Sequence, residues 1–227
     1  MSTTISEPST FTFSFNQNQS NDYFPTSLEI KKFKNNNELS ENFQTKCKDF
    51  KKLMDDEIKE FQTKYNNVTL INYPDKIMFY NSNEPYFELT PFYNVPNNIS
   101  FAEIKFYSSE QIVCFAKAIY ANDLVTAFKI LIQSKAYYAH NYAKNINECM
   151  NWNNIYYPII YVANYYKFKC ESMKNIMNEC KEKYLIYNSK YDDKLGSGKD
   201  GKGQNVLGVI LMMIMNFWLN NVKFLTE

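Results

Sequence analysis

All five glycines of this 227-residue chain fall between Gly196 and Gly208. Glycine is used where backbone must take a positive φ or approach another group closely. The stretch 191–203, Tyr-Asp-Asp-Lys-Leu-Gly-Ser-Gly-Lys-Asp-Gly-Lys-Gly, is therefore read as a special loop. Lys199 and Lys202 are interleaved with its glycines. Such a loop can hold an anionic group on backbone amides and ammonium ions; the bland alternative is a solvated surface loop. It lacks the Gly-x4-Gly-Lys-Ser/Thr pattern of a P-loop.

Elsewhere, hydrophobic spacing is the guide. Leu39, Phe43, Cys47, Phe50, Met54, Ile58, Phe61 and Tyr65 recur every three or four residues. That predicts an amphipathic helix over 40–65, packed on the domain or docking a partner. Residues 1–38 are rich in Ser, Thr, Asn and Gln with scattered Phe, and are read as a disordered, low-complexity N-terminus. Four prolines between Pro74 and Pro96 mark a strand-and-turn region, with short strands expected at 68–72, 76–80 and 104–107. Helices are expected over 108–120, with Ser108 and Gln111 as a capping box, and over 123–133, capped by Asn122. Further helices are read as ending at or starting from Pro158 and reaching Phe168, then over 171–183 and 205–222, with a short strand at 185–187. The organisation expected is a disordered segment 1–38, a helical extension 39–67 and one α+β, mostly helical domain 68–227.

Composition narrows function. Twenty-five basic residues, all lysine, face 24 acidic ones. That near-balance argues against bulk electrostatic binding of duplex DNA. A single histidine, His140, rules out a multi-histidine metal centre and leaves little room for Ser-His-Asp or Cys-His catalysis; no metal and no cofactor is expected. Five cysteines without CxxC spacing, and a Ser/Thr-rich start without a signal-like segment, point to reduced thiols and a cytoplasmic or nuclear, not secreted, protein. The longest apolar run, 206–219, falls short of the ~20 residues a spanning helix needs.

One constellation carries chemistry on its own residues. Glu110 sits in the first turn of a predicted helix, where the dipole favours negative charge. Cys114 and Lys117 follow at i+4 and i+7 on the same face. Taken alone, an acid in a first turn is commonly just a stabiliser of its helix, and a lone His140 or Trp152 is commonly a packing residue.

Read in order, several segments resemble the NADAR domain, also called the YbiA-like family. Ile77-Met-Phe-Tyr is similar to its opening strand, Leu89-Thr-Pro-Phe92-Tyr93 to its L-S-N-F-Y, and Phe106-Tyr-Ser-Ser-Glu110-Gln111 with Lys117-Ala118 to its F-x-S-x-E-Q/H and K-A. Asn122-Asp123 resembles its G-D turn. Trp152, Lys167-Phe168, Tyr191-Asp192 through Gly196-Ser197-Gly198, and Asn205-Val-Leu-Gly208 with Leu211-Met212 complete the series. Departures are Leu195 for a Trp, Tyr187 for an acid, Pro91 for an Asn and Met215 for an Arg, with His140 and Lys144 at the positions of a Lys and an Arg.

The resemblance implies a YbiA-like fold and an N-glycosidase. The substrate would be a phosphorylated ribosyl compound, either a ribosylaminopyrimidine phosphate of the riboflavin route or an ADP-ribose conjugate. It implies Glu110 and Asp192 as catalytic carboxylates. Ligand contacts would come from Phe92, Lys117, His140, Lys144, Trp152, Gly196, Gly198 and Asn205. A small-molecule partner is expected, with no membrane, and the oligomeric state is left open. The departures support an alternative, a catalytically degenerate member that binds a nucleotide-like ligand or a protein.

Overall fold

The apolar stripe that begins at Leu39 forms helix α2 (Glu41–Lys64). It follows α1 (Ser27–Asn36) in a computed structural model that describes residues 22–64 and 73–223. Phe43, Cys47, Phe50, Met54 and Ile58 are all buried. Phe50 packs at 4.8–5.9 Å against the rings of Phe101, Phe106 and Phe115. The helix is thus a wall of the main core rather than an extension beside it. Its apolar face is covered from within the chain.

Residues 22–38 differ from expectation as well. They are not without structure, and α1 has a complete capping box: the Thr26 hydroxyl accepts from the Glu29 N–H while the Glu29 carboxylate accepts from the Thr26 N–H. Tyr23 exchanges backbone hydrogen bonds with the strand edge at Glu103 and Lys105. Phe33 is buried with its ring 4.5 Å from that of Phe128. Two buried aromatics and one cap offset the ordering entropy that the polar composition suggested could not be met. The expected disorder of 1–21 and the strand at 68–72 lie outside the described residues.

Strands are few and short. β1 (Lys76–Phe79) and β4 (Tyr184–Tyr187) pair in parallel, Lys76 opposite Tyr184 and Phe79 opposite Tyr187. β2 (Ile99–Phe101) and β3 (Ile104–Phe106) form an antiparallel hairpin. Its two turn residues, Ala102 and Glu103, both have positive φ (51° and 57°). That is the backbone a two-residue hairpin demands, here without glycine. β2 was not read from the sequence.

Between the paired strands run α3 (Ser109–Tyr120), α4 (Leu124–Leu131), α5 (Ala136–Ala143), α6 (Trp152–Lys169) and α7 (Lys174–Glu179). α3 is the central rod, contacting α2, α4, α5 and α6. The cap of α4 is Asp123, whose side chain accepts from the Thr126 N–H; Asn122 instead makes the preceding left-handed turn (φ 57°). α6 starts six residues before Pro158, so the proline lies inside the helix rather than at its boundary. The segment read as a helix over 171–183 is a 3-10 turn at Glu171–Met173 plus the short α7. α8 (Val206–Lys223) closes the fold on β4 and α6. Gly208 makes this possible, because a β-carbon there would collide with the Leu185 carbonyl. Among the described residues no helix is long and apolar enough to cross a membrane.

If α1 is part of the core, Phe33→Ala should cost ~3–5 kcal/mol of unfolding free energy. Urea denaturation checks this. A change within ~0.5 kcal/mol would mean that the arm is not docked in solution.

Candidate functional site

The first turn of α3 is fixed by a buried polar network. The Ser108 hydroxyl accepts from the Gln111 N–H, and the Gln111 carbonyl oxygen accepts from the Tyr107 N–H at 2.7 Å. The reach-back of the capping box thus lands one residue upstream of the cap. The Gln111 amide donates to the carbonyls of Ile130, Leu131 and Gln133, tying the end of α4 to the start of α3. The Glu110 N–H donates to the Pro91 carbonyl at 3.0 Å. The Ser109 hydroxyl meets Asn164 Oδ1 at 3.1 Å. Next to Pro91, the Thr90 carbonyl accepts from Lys167 Nζ at 2.7 Å. Lys167 is fully buried, and that burial pulls its pKa down to about 7.

This frame presents the Glu110 side chain, 14% exposed, to His140 on α5. Glu110 Oε1 lies 2.7 Å from His140 Nδ1. On the same face of α3 the Cys114 thiol donates to Glu110 Oε1 at 3.4 Å. The Phe92 ring stands 5.6 Å from the imidazole. Cys114 is buried, and burial, then the Glu110 charge, pushes its pKa well up. The ligating atoms of Glu110, Cys114 and His140 lie within 4.8 Å of one another.

Asp192, half-buried, follows β4. Its Oδ1 accepts from the N–H groups of Lys194 and Leu195, which turns the chain into the glycine loop. Two phenols feel the charge of both carboxylates. Tyr156 of α6 has its pKa raised by burial and then by the charges of Glu110 and Asp192. Tyr187 is raised by burial, then by Tyr80, Glu110 and Asp192. Both phenols stay protonated. The two carboxylates thus act electrostatically on the same pair of side chains, from opposite ends of the domain sequence.

A hollow of about 420 Å³ is walled by Tyr80, Asn81, Asn188, Lys190, Tyr191, Ser197, Gly198, Lys199 and Gly201. The rings of Tyr80 and Tyr187 are 5.7 Å apart. Gly198 has φ +69° and packs against the Asp193 carboxylate. Gly196 lies against Ser189 and the Tyr187 carbonyl, so it shapes the loop from behind.

Several expected contacts have other occupations. Lys117 forms an ion pair with Glu148 at 3.1 Å. Lys144 is exposed and donates to Asn141. Asn205 is spent on the scaffold: its Oδ1 accepts from the Tyr187 N–H and its amide donates to the Leu185 carbonyl, both at 2.8 Å. Trp152 is buried at the start of α6, its ring 5.6 Å from that of Tyr156. Tyr156, Tyr80 and Lys190 were not singled out from the sequence. Only the four-residue step from Trp152 to Tyr156 on one helix face signals the first of them.

The architecture and the sequence agree with a known group. The NADAR domain family matches residues 78–216. This chain belongs to the NADAR domain family. The NMR structure of the E. coli protein YbiA shares the fold with TM-score 0.58 and 19% identity, covering 71% of this chain and 94% of YbiA. No curated protein matches the chain. The segment that matches the NADAR family contains Glu110, His140, Tyr156, Tyr187, Asp192 and the glycine loop. It excludes α1 and α2.

Lys167 supplies a pH test of this frame. Its ordinary pKa of 10.5 falls to about 7 on folding. Below pH 7 both states hold the proton and the penalty of burying charge is complete. Above 7 the unfolded chain binds more protons than the folded one, so stability rises with pH. Buried Cys47 and Cys180, ordinarily 9.0 and held up at about 12, work oppositely above pH 9. Urea midpoints should therefore climb between pH 7 and 9, and Lys167→Met should remove that climb; parallel profiles would contradict it.

Proposed function

We propose that this NADAR protein is an N-glycosidase that hydrolyses the base–ribose bond of a phosphorylated ribosyl compound, a ribosylaminopyrimidine phosphate or an ADP-ribose conjugate. The observation that carries the reading is the Glu110–His140 pair at 2.7 Å, on a helix start that is rigidly held and 14% exposed at the carboxylate. Asp192 acts on the same two phenols.

Cleavage of a C1′–N bond sends both bonding electrons to nitrogen and leaves oxocarbenium character on the sugar. Glu110 supplies negative charge facing that cation and accepts the proton of the attacking water. His140 Nδ1–H is committed to the Glu110 carboxylate, so it is the imidazolium form that gives its Nε2 proton to the leaving nitrogen and ends as neutral imidazole. Exchange with solvent through the 39% exposed imidazole resets both groups. The free oxygen of Asp192 and the Tyr156 and Tyr187 hydroxyls suit the ribose hydroxyls. Lys190, Lys199 and Ser197 in the neighbouring hollow suit phosphate. With no arginine in the chain, phosphate is held by ammonium point charges rather than two-pronged forks.

The second reading, a binding-only protein, is favoured by one observation. Tyr187, a neutral phenol, occupies the position at which the resemblance expects an acid. Hydrolysis assays decide between them on a panel of ribosylamine phosphates and ADP-ribose conjugates. Glu110→Gln should lower kcat at least ~100-fold, and His140→Ala should lower it by ~100-fold with KM little changed. Both should melt within a few degrees of wild type. Ligand-dependent thermal stabilisation with no product from wild type would establish binding without catalysis.

A further inference from the structure

Glu110, Cys114 and His140 bring three chemically different donors to one point. Glu110 and Cys114 stand one turn apart on α3, and His140 reaches them from α5, which packs on the same helix. We propose that this triad binds a zinc-class divalent cation, and that the bound ion blocks hydrolysis by occupying Glu110. The blocking half rests on the reading of Glu110 as the reacting carboxylate; the binding half does not.

The donor set is selective. One thiolate, one imidazole and one carboxylate suit Zn²⁺ or Cd²⁺, whereas Mg²⁺ and Ca²⁺ take oxygen ligands. Distances agree. Tetrahedral zinc with Zn–S of ~2.3 Å and Zn–N and Zn–O of ~2.1 Å sets its ligating atoms roughly 3.3–3.6 Å apart. Cys114 Sγ is already 3.4 Å from Glu110 Oε1. His140 Nδ1, at 2.7 Å, would open by roughly 0.6 Å. A 39% exposed side chain can yield that much.

Charge and access agree too. A carboxylate, a thiolate and a neutral imidazole carry two negative charges, which a divalent ion neutralises. The nearby Lys117 is already paired with Glu148. Coordination breaks the Cys114 S–H bond and takes the proton from His140 Nδ1, leaving a neutral imidazole protonated on Nε2; the released protons go to solvent and the metal–sulfur and metal–nitrogen bonds form with no change of oxidation state. Exposure falls from His140 through Glu110 to Cys114, so the ion has an entry side and a buried terminus. A water would complete a four-coordinate shell.

The test uses the full chain, stripped with EDTA and titrated with Cd²⁺ while the thiolate-to-cadmium charge-transfer band is followed. Zn²⁺ affinity is measured by competition against a chromophoric chelator. A single equivalent should produce the band. Cys114→Ser should abolish it, and His140→Ala should keep it while weakening Zn²⁺ at least about tenfold. No band, or an unchanged band in Cys114→Ser, would overturn the site. So would an unchanged Zn²⁺ affinity in the half-exposed His140→Ala variant, which also serves if the serine variant fails to fold. Hydrolysis in EDTA that is lost as the Zn²⁺ site fills supports blocking. Hydrolysis that needs Zn²⁺, or ignores it when the site is full, overturns blocking. No hydrolysis under either condition defeats the N-glycosidase reading and blocking with it, and the titration then decides the binding half alone.

Discussion

Two adjacent main-chain carbonyls hold the start of α3, and with it Glu110, in register. The Thr90 carbonyl takes the buried Lys167 amine at 2.7 Å, and the Pro91 carbonyl takes the Glu110 N–H at 3.0 Å. The strap 90–91 is thereby fastened to α6 on one side and to the first turn of α3 on the other. Phe92, the next residue along, reaches the imidazole as a consequence. Proline at position 91 does not weaken this arrangement, since it lacks only an N–H and its carbonyl still accepts. Whatever a side chain does at that position in relatives, the function of the strap here is carried by backbone.

Behind the strap, the N-terminal helices do structural duty. Phe43, Phe50, Phe115 and Phe128 form a chain of near-perpendicular ring contacts at 4.8–6.3 Å that joins α2 to α3 and α4. Edge-to-face contacts of this kind add ~0.5–1.5 kcal/mol each beyond burial. The NADAR match starts at residue 78, so this wall is an addition to the matched segment. It packs against the opposite face of α3 from Glu110 and His140. Rigidity of the first turn therefore depends in part on residues that contribute nothing chemical.

Much of the scaffold was legible because its signals are periodic. The stripe of α2, the Ser108 cap of α3 and the apolar run of α8 each appear as repeated spacing or a cap before a run. What escaped notice lacked those signals. α5 alternates alanine with tyrosines that stay exposed (Tyr137, Tyr138 and Tyr142) and has no side-chain cap, so its apolar face is three alanines wide. α1 was hidden by its polar composition, although Thr26 and Glu29 spell its start. Using glycine as the marker of unusual backbone also misled. Asn37, Asn97, Asn98, Asn122 and Asn205 all take positive φ, as do Ala102 and Glu103. Asparagine tolerates that region through local hydrogen bonding. The site was legible only in pieces: Glu110 and His140 were each nominated, but thirty residues and one whole helix, α4, separate them. Their 2.7 Å contact is a product of how α5 packs on α3.

The distribution of charge follows from that packing and sets an orientation. Glu110 and the thiol that donates to it share one face of α3, and Lys117 on that face is already paired with Glu148. Lys190 and Lys199 stand on the wall of the hollow that Tyr80 also lines. An anionic group is repelled by the Glu110 carboxylate and attracted to those lysines, while a developing cation is stabilised beside Glu110. On the proposed reading, a phosphorylated riboside would set its C1′ at Glu110 and its phosphate among the lysines. The proposed metal site draws on the same carboxylate. Hydrolysis and metal binding would thus compete for one oxygen, Glu110 Oε1, which already accepts from Cys114 and meets His140 Nδ1.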